Sequence, residues 1–342
     1  MSVRLHVLSD FSAWAGLREE WKSLALKCPT ATPFQTPEWL LTWWEFFGSG
    51  ELLVFAFREE GRLVGLAPLF ILPWNGRRQV TLIGSGLSDY LDFLFVPGRA
   101  PECLAQLFAY LHEIRSSWDL CDWQDLPVDS VLLKSAAVDA IPHVWTTDSA
   151  CSRLSLPPCD TIFEQSLPHG LRRNLRRYTQ HLERCGPVRL IVDRQGSSES
   201  ISALLRFHRE RRLDHSEAPF SDQTGDFVET VCARFAAAGK LRVFELHCGD
   251  CLAAGIVAFA MKRRAYGYLT AFNSEYERFS PGALLLRRAI SRSIDEGLTC
   301  FDFLRGDESY KFNFGAEHSA NFRLTAFQNY ATITSTPLAR RA

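Results

Sequence analysis

The chain lacks a strong charge of either sign. Its 342 residues include 38 Lys and Arg against 39 Asp and Glu, a formal net charge of −1, and the pI is near 6.8. Domains that bind nucleic acid over a large surface usually have a pI above about 9. The composition therefore excludes a global DNA-binding or RNA-binding protein, although it is compatible with local basic patches.

Long apolar runs are also missing. No stretch of the sequence reaches the roughly 18 apolar residues that a membrane-spanning helix requires, and the segment 1–21 lacks the apolar core of a signal peptide. The ten cysteines are scattered, many of them within apolar runs, in a chain long enough to fold without disulfides. We therefore predict a cytoplasmic protein with reduced thiols and no transmembrane segment.

A complete set of metal ligands is absent as well. Cys248 and Cys251 have the CxxC spacing of zinc sites, but no second CxxC supplies the remaining ligands. The pair flanks a predicted hairpin turn at Gly249-Asp250, which is not the strand-to-helix setting of redox-active CxxC motifs. We predict no metal site.

The aromatic residues that are present are unevenly distributed. All nine tryptophans lie between Trp14 and Trp145. The length favours two domains, and an apolar content of 46% is enough for two cores. The segment 148–160 is the candidate crossing point, and we predict domains at 1–155 and 156–342.

Both halves repeat one predicted order of elements, which is helices, antiparallel hairpin, strand, helix and strand. Placed over 241–259, the segment 52–70 matches at several apolar positions. A later strand in each half carries one acid inside an apolar run, Asp122 in the first half and Asp302 in the second. The repetition predicts a duplicated α/β unit, each copy with a mixed, mainly antiparallel sheet flanked by helices.

The segment Ser280-Pro281-Gly282 is the predicted start of a helix that follows the strand AYGYLTAF. Proline suits the first helical turn. A helix amino terminus offers unpaired N–H groups and the positive end of the helix dipole, which together attract phosphate. The alternative interpretation is an ordinary capped helix.

The stretch FDFLRGDESYKFNFG (301–315) packs polar side chains against the end of a predicted strand. Asp302 lies within the apolar part, and burial of its charge would cost several kcal/mol unless it is paired; Arg305 is an available partner. Asp307, Tyr310 and Lys311 complete the cluster. It is either catalytic or only a brace for the strand end.

The predicted helix LRRNLRRYTQHLER places Arg172 and Arg176, and likewise Arg173 and Arg177, four residues apart. Like charges at this spacing repel by a few tenths of a kcal/mol. A helix that tolerates this repulsion indicates either an anionic partner, such as a sugar phosphate, a lipid head group, tRNA or coenzyme A, or simply a solvated face.

Four of these segments together resemble a known family. LRRNLRRYTQHLERCG, SPGALLLRRAI and FDFLRGDESYKFNFG, with GLSDYLDFLFVPG (86–98) in the first half, are similar to Fem-like and CelD/BcsL-type acetyltransferases, which have two GNAT-like halves. The similarity is most specific over 165–315. It implies two tandem GNAT-like units and an acyl-coenzyme A, above all acetyl-CoA, as co-substrate.

The resemblance also implies roles for individual residues. The loop that holds the coenzyme A pyrophosphate corresponds to Arg278, Ser280, Gly282 and Ala283, although Pro281 stands where that loop has its first glycine.

On the catalytic side, the resemblance makes Tyr310 the acid that protonates the leaving thiolate and Lys311 a stabiliser of negative charge, with Asp302 beside them. The residues that it assigns to the acceptor are Asp89, Asp92, Arg172, Arg176, Arg305 and Asp307; turn capping is the alternative for the two aspartates.

These expectations combine into an acyltransferase acting on an amine or hydroxyl of a small molecule, such as a sugar or a cell-envelope or exopolysaccharide precursor. The second half would bind the donor. The first half, which lacks the Arg-Gly-x-x-x-Tyr-Lys cluster, would keep the fold without the cofactor. Two alternatives stay open: a Fem-like transferase that uses aminoacyl-tRNA, and a non-catalytic binding subunit of a polysaccharide-synthesis system.

Overall fold

Two compact units make up the chain. The computed structural model describes residues 2–214 and 220–328. The first unit holds the chain up to Ser149 and again from Ala320, and the second holds Ala150–Ser319. The first boundary lies close to the predicted one at 155, but the described residues 320–328 belong to the first unit and not to the second.

The first unit contains the following helices and strands: β1 (Arg4–Leu8), α1 (Phe11–Ala15), α2 (Arg18–Lys27), α3 (Pro37–Phe47), β2 (Glu51–Glu59), β3 (Arg62–Trp74), β4 (Arg77–Leu82), β5 (Leu94–Phe95), α4 (Ala100–Glu113) and β6 (Leu120–Pro127). The strand β7 (His143–Ser155) then leads into the second unit.

The second unit continues with these elements: α5 (Asp160–Ser166), α6 (His169–Glu183), β8 (Val188–Asp193), α7 (Ser198–Asp214), α8 (Asp222–Ala237), β9 (Leu241–Cys248), β10 (Cys251–Met261), β11 (Arg264–Phe272), a short 3-10 segment (Ser274–Phe279), α9 (Pro281–Asp295), β12 (Cys300–Arg305) and α10 (Ser309–Asn313). The strand β13 (Glu317–Phe327) leads back to the first unit.

The two units have matching strand orders. In the first unit the order is β1-β2-β3-β4-β6-β13, with β5 added to β3, and in the second it is β8-β9-β10-β11-β12-β7. Pairing is antiparallel except between β4 and β6 and between β11 and β12, which are parallel. The predicted α/β fold with mixed, mainly antiparallel sheets is therefore confirmed.

The registers also repeat. Leu52 lies opposite Phe70 in the first hairpin, and Leu241 lies opposite Phe259 in the second, as the alignment of the two segments predicts. The parallel pairs repeat as well, because each consists of three residue pairs and ends at the buried aspartate of the inner strand.

Tryptophans fill the core of the first unit. Trp14, Trp21, Trp39, Trp118 and Trp123 are all buried, and Trp14 and Trp21 stack at 5.4 Å between ring centroids. The core of the second unit is built mainly from aliphatic residues and phenylalanine. The uneven distribution of tryptophan thus reflects two differently filled cores.

In each unit, the last strand in the strand order comes from a distant part of the chain. This added strand is β13 in the first unit and β7 in the second. In the first unit Asp122 of β6 binds Arg323 of β13, with both oxygens 2.6 Å from guanidinium nitrogens. In the second unit Asp302 of β12 pairs with Arg153 of β7 at 3.0 Å. An equivalent ion pair therefore joins the inner strand to the added strand in both units.

Within the described parts of the chain, no helix is both long and apolar enough to span a membrane.

Candidate active site

The pairing of β11 and β12 in the second unit ends before either strand does, which marks a candidate cleft between them. Their parallel pairing stops at Tyr266 opposite Asp302, although β11 continues for six further residues and β12 for three. β11 also has a bulge, because Leu269 pairs with Val257 while Gly267 pairs with Ala258, the next residue of β10. A bulge leaves one residue outside the ladder and bends the strand. The two strands therefore separate toward their carboxyl ends.

The amino terminus of α9 lies at the end of β11. Pro281 occupies its first turn, and Ser280 before it is left-handed, with φ 48° and ψ 54°. The Gly282 N–H has no hydrogen-bond partner among the residues that the structure describes. A Cβ built on Gly282 would have only the Phe272 ring, at 3.8 Å, within 4 Å. An accessible amide at the positive end of a helix of this length fits a phosphate group.

Arg278 and Ala283 also belong to the predicted phosphate loop, and they lie before and after the first residue of α9. Arg278 is exposed, and its guanidinium lies 4.6 Å from the centroid of the Phe279 ring. The Ala283 N–H donates to the Ser280 carbonyl at 3.1 Å, so it is less available than the Gly282 amide. The structure brings these four predicted residues together in one segment.

Tyr310 stands on α10, directly after β12. Its side chain is 42% exposed, while contact with the protein partly desolvates the phenol and, with the Glu308 carboxylate, raises its pKa to about 12. The phenol is therefore protonated at neutral pH and can donate a proton. Since its raised pKa makes it a weak acid, a neighbouring cation would help it.

Arg211 supplies such a cation, and it is a residue that the sequence analysis missed. Its guanidinium lies 5.1 Å from the centroid of the Phe272 ring at the end of β11. Its charge lowers the pKa of Tyr310, against the larger effects of burial and Glu308. The basic last turn of α7 was the available signal, but only tertiary structure places it beside β11.

The contacts of Lys311 favour a structural role over the predicted catalytic one. This side chain is only 3% exposed and forms an ion pair with Glu308 at 2.9 Å. Its ammonium donates to the backbone carbonyls of Phe303, Arg305 and Gly306 at 3.3, 2.8 and 3.2 Å. An ammonium enclosed in this way braces the end of β12, and it is not presented to a substrate.

Asp302 is fully buried, as predicted, but its role is also structural. One oxygen pairs with Arg153, and the other accepts from the Leu304 N–H at 2.9 Å. The ion partner that the structure shows is thus on the added strand β7, whereas the sequence pointed to Arg305. Arg305 is half-buried and Asp307 is exposed.

The acidic pair of the first unit is buried. Asp92 is 2% exposed, and its Oδ1 accepts from the Phe93 N–H at 2.8 Å and the Ser130 hydroxyl at 3.0 Å. Burial raises its pKa to about 7. Asp89 is 8% exposed, and its carbonyl accepts from Asn321 Nδ2 at 2.7 Å. Asp92 is therefore enclosed within the first unit.

A loop fills the position in the first unit that corresponds to the cleft. The Leu91 N–H donates to the Asp125 carbonyl at 2.9 Å, beyond the last parallel pair of β4 and β6. Gln35 Nε2 donates to the Tyr90 carbonyl at 2.7 Å, and Trp39 Nε1 donates to the Ser88 hydroxyl at 2.8 Å. These contacts hold the segment 84–93 in the position that corresponds to the cleft of the second unit.

Arg172 and Arg176 lie on α6, which packs against α9 and the 3-10 segment Ser274–Phe279. The side of α6 that carries Leu175 and Leu182 is buried. Arg172 is half-buried, and Arg176 is 73% exposed.

In the described segments, no group of three or more His, Cys, Asp or Glu side chains could hold a metal ion. Cys248 and Cys251 face each other across the hairpin turn. Cys248 is buried, and burial raises its pKa.

Comparison with known proteins agrees with this geometry. Residues 169–312 match the family model described as an acetyltransferase (GNAT) domain. This segment lies within the second unit and spans α6 to α10. Over this segment the second unit is therefore similar to GNAT acetyltransferase domains.

Solved structures show the same fold over nearly the whole chain. The crystal structure of FemX has 12% identity and a TM-score of 0.68 over 94% of this chain and 97% of its own. The C-terminal domain (DUF2156) of a putative lysylphosphatidylglycerol synthetase from Agrobacterium fabrum has 14% identity and a TM-score of 0.59 over 95% and 94%.

A tandem GNAT protein from the clavulanic acid biosynthesis pathway has 13% identity and a TM-score of 0.50 over 96% and 99% of the two chains. No curated protein matches the sequence. At these identities the likeness establishes the fold, which is the predicted tandem GNAT-like α/β fold.

Proposed function

We propose that the protein is an acyltransferase that uses an acyl-coenzyme A, above all acetyl-CoA, and transfers the acyl group to an amine or hydroxyl. The observation that carries this proposal is the early end of the β11–β12 pairing at Tyr266 and Asp302. It leaves an opening between two parallel strands, with a helix amino terminus and a protonated phenol at its edge. The GNAT match over 169–312 supports the same reaction class.

The residues around the cleft fit an acyl-coenzyme A. When bound, this donor supplies an activated thioester. The free Gly282 N–H and the positive end of α9 would hold its pyrophosphate, with the exposed Arg278 as a further cation. The bulge in β11 turns backbone N–H groups away from the ladder, where one of them can stabilise an oxyanion.

Tyr310 is the residue that would move a proton. Its Oη would donate to the sulfur as the acyl group leaves, a role that general acids perform with a rate effect of about 10²–10⁴. Arg211 would make this donation easier because its charge favours the phenolate. Lys311 would hold the strand end on which this geometry depends.

The acceptor is proposed as an amine or hydroxyl of a sugar or of a cell-envelope or exopolysaccharide precursor. The similarity of four segments to CelD/BcsL-type acetyltransferases supports this class. We further propose that the first unit binds no cofactor, because the segment 84–93 fills its equivalent opening through the Leu91 to Asp125 hydrogen bond. Its role would be to complete the fold and bind the acceptor.

One other donor has an observation in its favour. The exposed arginines of α6 could bind the phosphates of an aminoacyl-tRNA, as in a Fem-like transferase. A non-catalytic binding subunit is the third candidate. Binding of coenzyme A or of tRNA separates the two donors, and turnover separates both enzymes from a binding subunit.

The test is a turnover assay with the full chain. Acetyl-CoA is incubated with a panel of amino sugars and hydroxyl sugars, and free coenzyme A is measured by liquid chromatography because the ten protein thiols would react with thiol reagents. Acceptor-dependent release of coenzyme A supports the proposal. Binding of tRNA without any binding of acetyl-CoA would replace it with the aminoacyl-tRNA alternative.

A further inference from the structure

A face rich in arginine covers the outer side of α6. Leu175 and Leu182 on the opposite side are buried in the core of the second unit. The outer side lines a pocket of 320 Å³. The residues that line it, called here the arginine face, are His169, Arg172, Arg173, Arg176, Arg177 and Gln180.

Little negative charge compensates this face. Arg176 approaches Glu164 at 3.8 Å, but the Glu164 carboxylate already accepts from Arg287 at 2.8 and 3.1 Å. Neither Arg173 nor Arg177 has an ion pair with a carboxylate in the segments 2–214 and 220–328. The positive charge therefore remains available to an outside partner.

One buried donor also lacks an acceptor. The Nε of Arg172 is enclosed and makes no hydrogen bond within the described chain. A buried unsatisfied donor costs about 1–3 kcal/mol, more if the group is charged. An anion bound beside Arg172 would satisfy this donor, which points to a ligand for the face and not to simple solvation.

The shape of the face indicates what kind of anion fits. From His169 to Gln180 it covers twelve residues, or about 16 Å along the helix. Arginine side chains spread over this length extend further than a single phosphate. They suit several phosphates spread over a surface, and arginine binds each of them through two parallel hydrogen bonds.

We propose that the arginine face of α6 binds an anionic phospholipid surface. The overall charge of −1 favours lipid over nucleic acid, because lipids rearrange around a patch of this size, whereas a long rigid polyanion would extend beyond it onto neutral or acidic surface. Apart from the exposed His169, the face has no exposed aromatic ring for base stacking. Its nearest ring, Tyr178, is half-buried, with the Arg177 guanidinium 5.3 Å from the ring centroid.

The experiment is co-sedimentation of the full chain with vesicles at low salt. One set contains only phosphatidylcholine, and the other contains about 30% phosphatidylserine, which gives the surface the negative potential that attracts basic residues. The protein is expected to sediment with the anionic set only, and about 0.5 M salt should release it because screening shortens electrostatic attraction.

A matched pair of variants locates the contact. Arg173→Gln with Arg177→Gln removes two exposed charges from the face and should lower the partition coefficient about thirtyfold, since each arginine near an anionic surface contributes about fivefold. Arg206→Gln with Arg209→Gln removes two exposed charges from α7 and should leave binding unchanged.

Three results would overturn the proposal. Equal sedimentation with both vesicle sets would show that charge is not recognised, and equal loss in both double variants would show that the contact is not on α6. Labelled tRNA bound more tightly than the anionic vesicles, with the same dependence on Arg173 and Arg177, would make the arginine face an RNA site. None of these readouts depends on acyl transfer.

Discussion

Asp302 of β12 and Arg153 of β7 form an ion pair across neighbouring strands, with 3.0 Å between Oδ2 and Nε. The aspartate is fully buried, and 23% of the arginine side chain is exposed. Asp122 and Arg323 form the corresponding pair in the first unit at 2.6 Å. An ion pair of this kind occurs in both units. In each unit it holds the added strand next to the strand that carries the buried aspartate.

Loss of the acid in this pair should destabilise the second unit. Asp302→Asn removes the charge but keeps an oxygen for the Leu304 N–H, so the main effect is the loss of the ion pair with Arg153. Removing one member of a buried ion pair costs about 3–5 kcal/mol. Urea unfolding measures this change, and Asp302→Asn combined with Arg153→Gln should recover part of the loss. A change below about 1 kcal/mol in the single variant would show that the pair does not stabilise the strand junction.

Lys311 should also prove structural. Lys311→Met keeps the apolar stem but leaves the carbonyls of Phe303, Arg305 and Gly306 without their donor, so the free energy of unfolding should fall by about 1.5–3 kcal/mol. Lys134→Met, at an exposed site, should change it by less than about 0.5 kcal/mol.

Acetyl-CoA affinity, measured on folded Lys311→Met, should stay close to the wild-type value. A large loss of turnover with unchanged stability would restore Lys311 to the catalytic residues.

For Tyr310 we expect a loss of turnover without a loss of stability, in contrast to Lys311. Tyr310→Phe removes one hydroxyl from a side chain that is 42% exposed, so the melting temperature should hold. Turnover should fall by about 10²–10⁴ if the phenol is the general acid. Tyr178→Phe, on α6, serves as the matched control and should retain full turnover. Equal rates in the two variants would remove tyrosine as the acid.

The buried carboxyl of Asp92 should make stability depend on pH. Its pKa is about 7 in the folded protein against an ordinary value of 3.8, because burial disfavours the charge, with the nearby Asp129 adding to the effect. Between these values the folded state binds more protons than the unfolded state. The contribution of Asp92 is thus fully present below about pH 4 and is lost as the pH rises toward 7.

Asp92→Asn removes this titration. Relative to the wild type, the variant should gain about 1.4 kcal/mol for each pH unit between about 4 and 7, measured by urea unfolding at several pH values. Asp139→Asn, at a site that is 75% exposed, should follow the wild type. Parallel curves for Asp92→Asn and wild type would contradict the raised pKa.

The sequence predicted those parts of the fold that depend on local pattern. The hairpins, their repeated register and the helix start at Pro281 follow from apolar alternation and turn residues. The return of β13 to the first unit was not predicted, because no local pattern specifies which distant strand an outer strand joins. For the same reason the sequence pointed to Arg305 as the partner of Asp302, whereas the structure shows an ion pair with Arg153.

The candidate site was predictable only in part. Tyr310 and the segment around Gly282 lie where the pattern indicated. Arg211 was missed because its place beside Phe272 depends on how α7 packs. The structural contacts of Lys311 could not be predicted, because the sequence shows its charge but not the three backbone carbonyls that accept hydrogen bonds from its ammonium group.

The central claim is that the amino terminus of α9 binds the donor, and calorimetric titration with acetyl-CoA tests it most directly. Gly282→Asp has room for its Cβ, and an acid in the first turn favours the helix, so the variant should fold while its charge repels a pyrophosphate. The account predicts saturable binding to the wild type and at least a tenfold weaker affinity for Gly282→Asp. Equal affinity in the two proteins, or no binding to the wild type at millimolar acetyl-CoA, would contradict it.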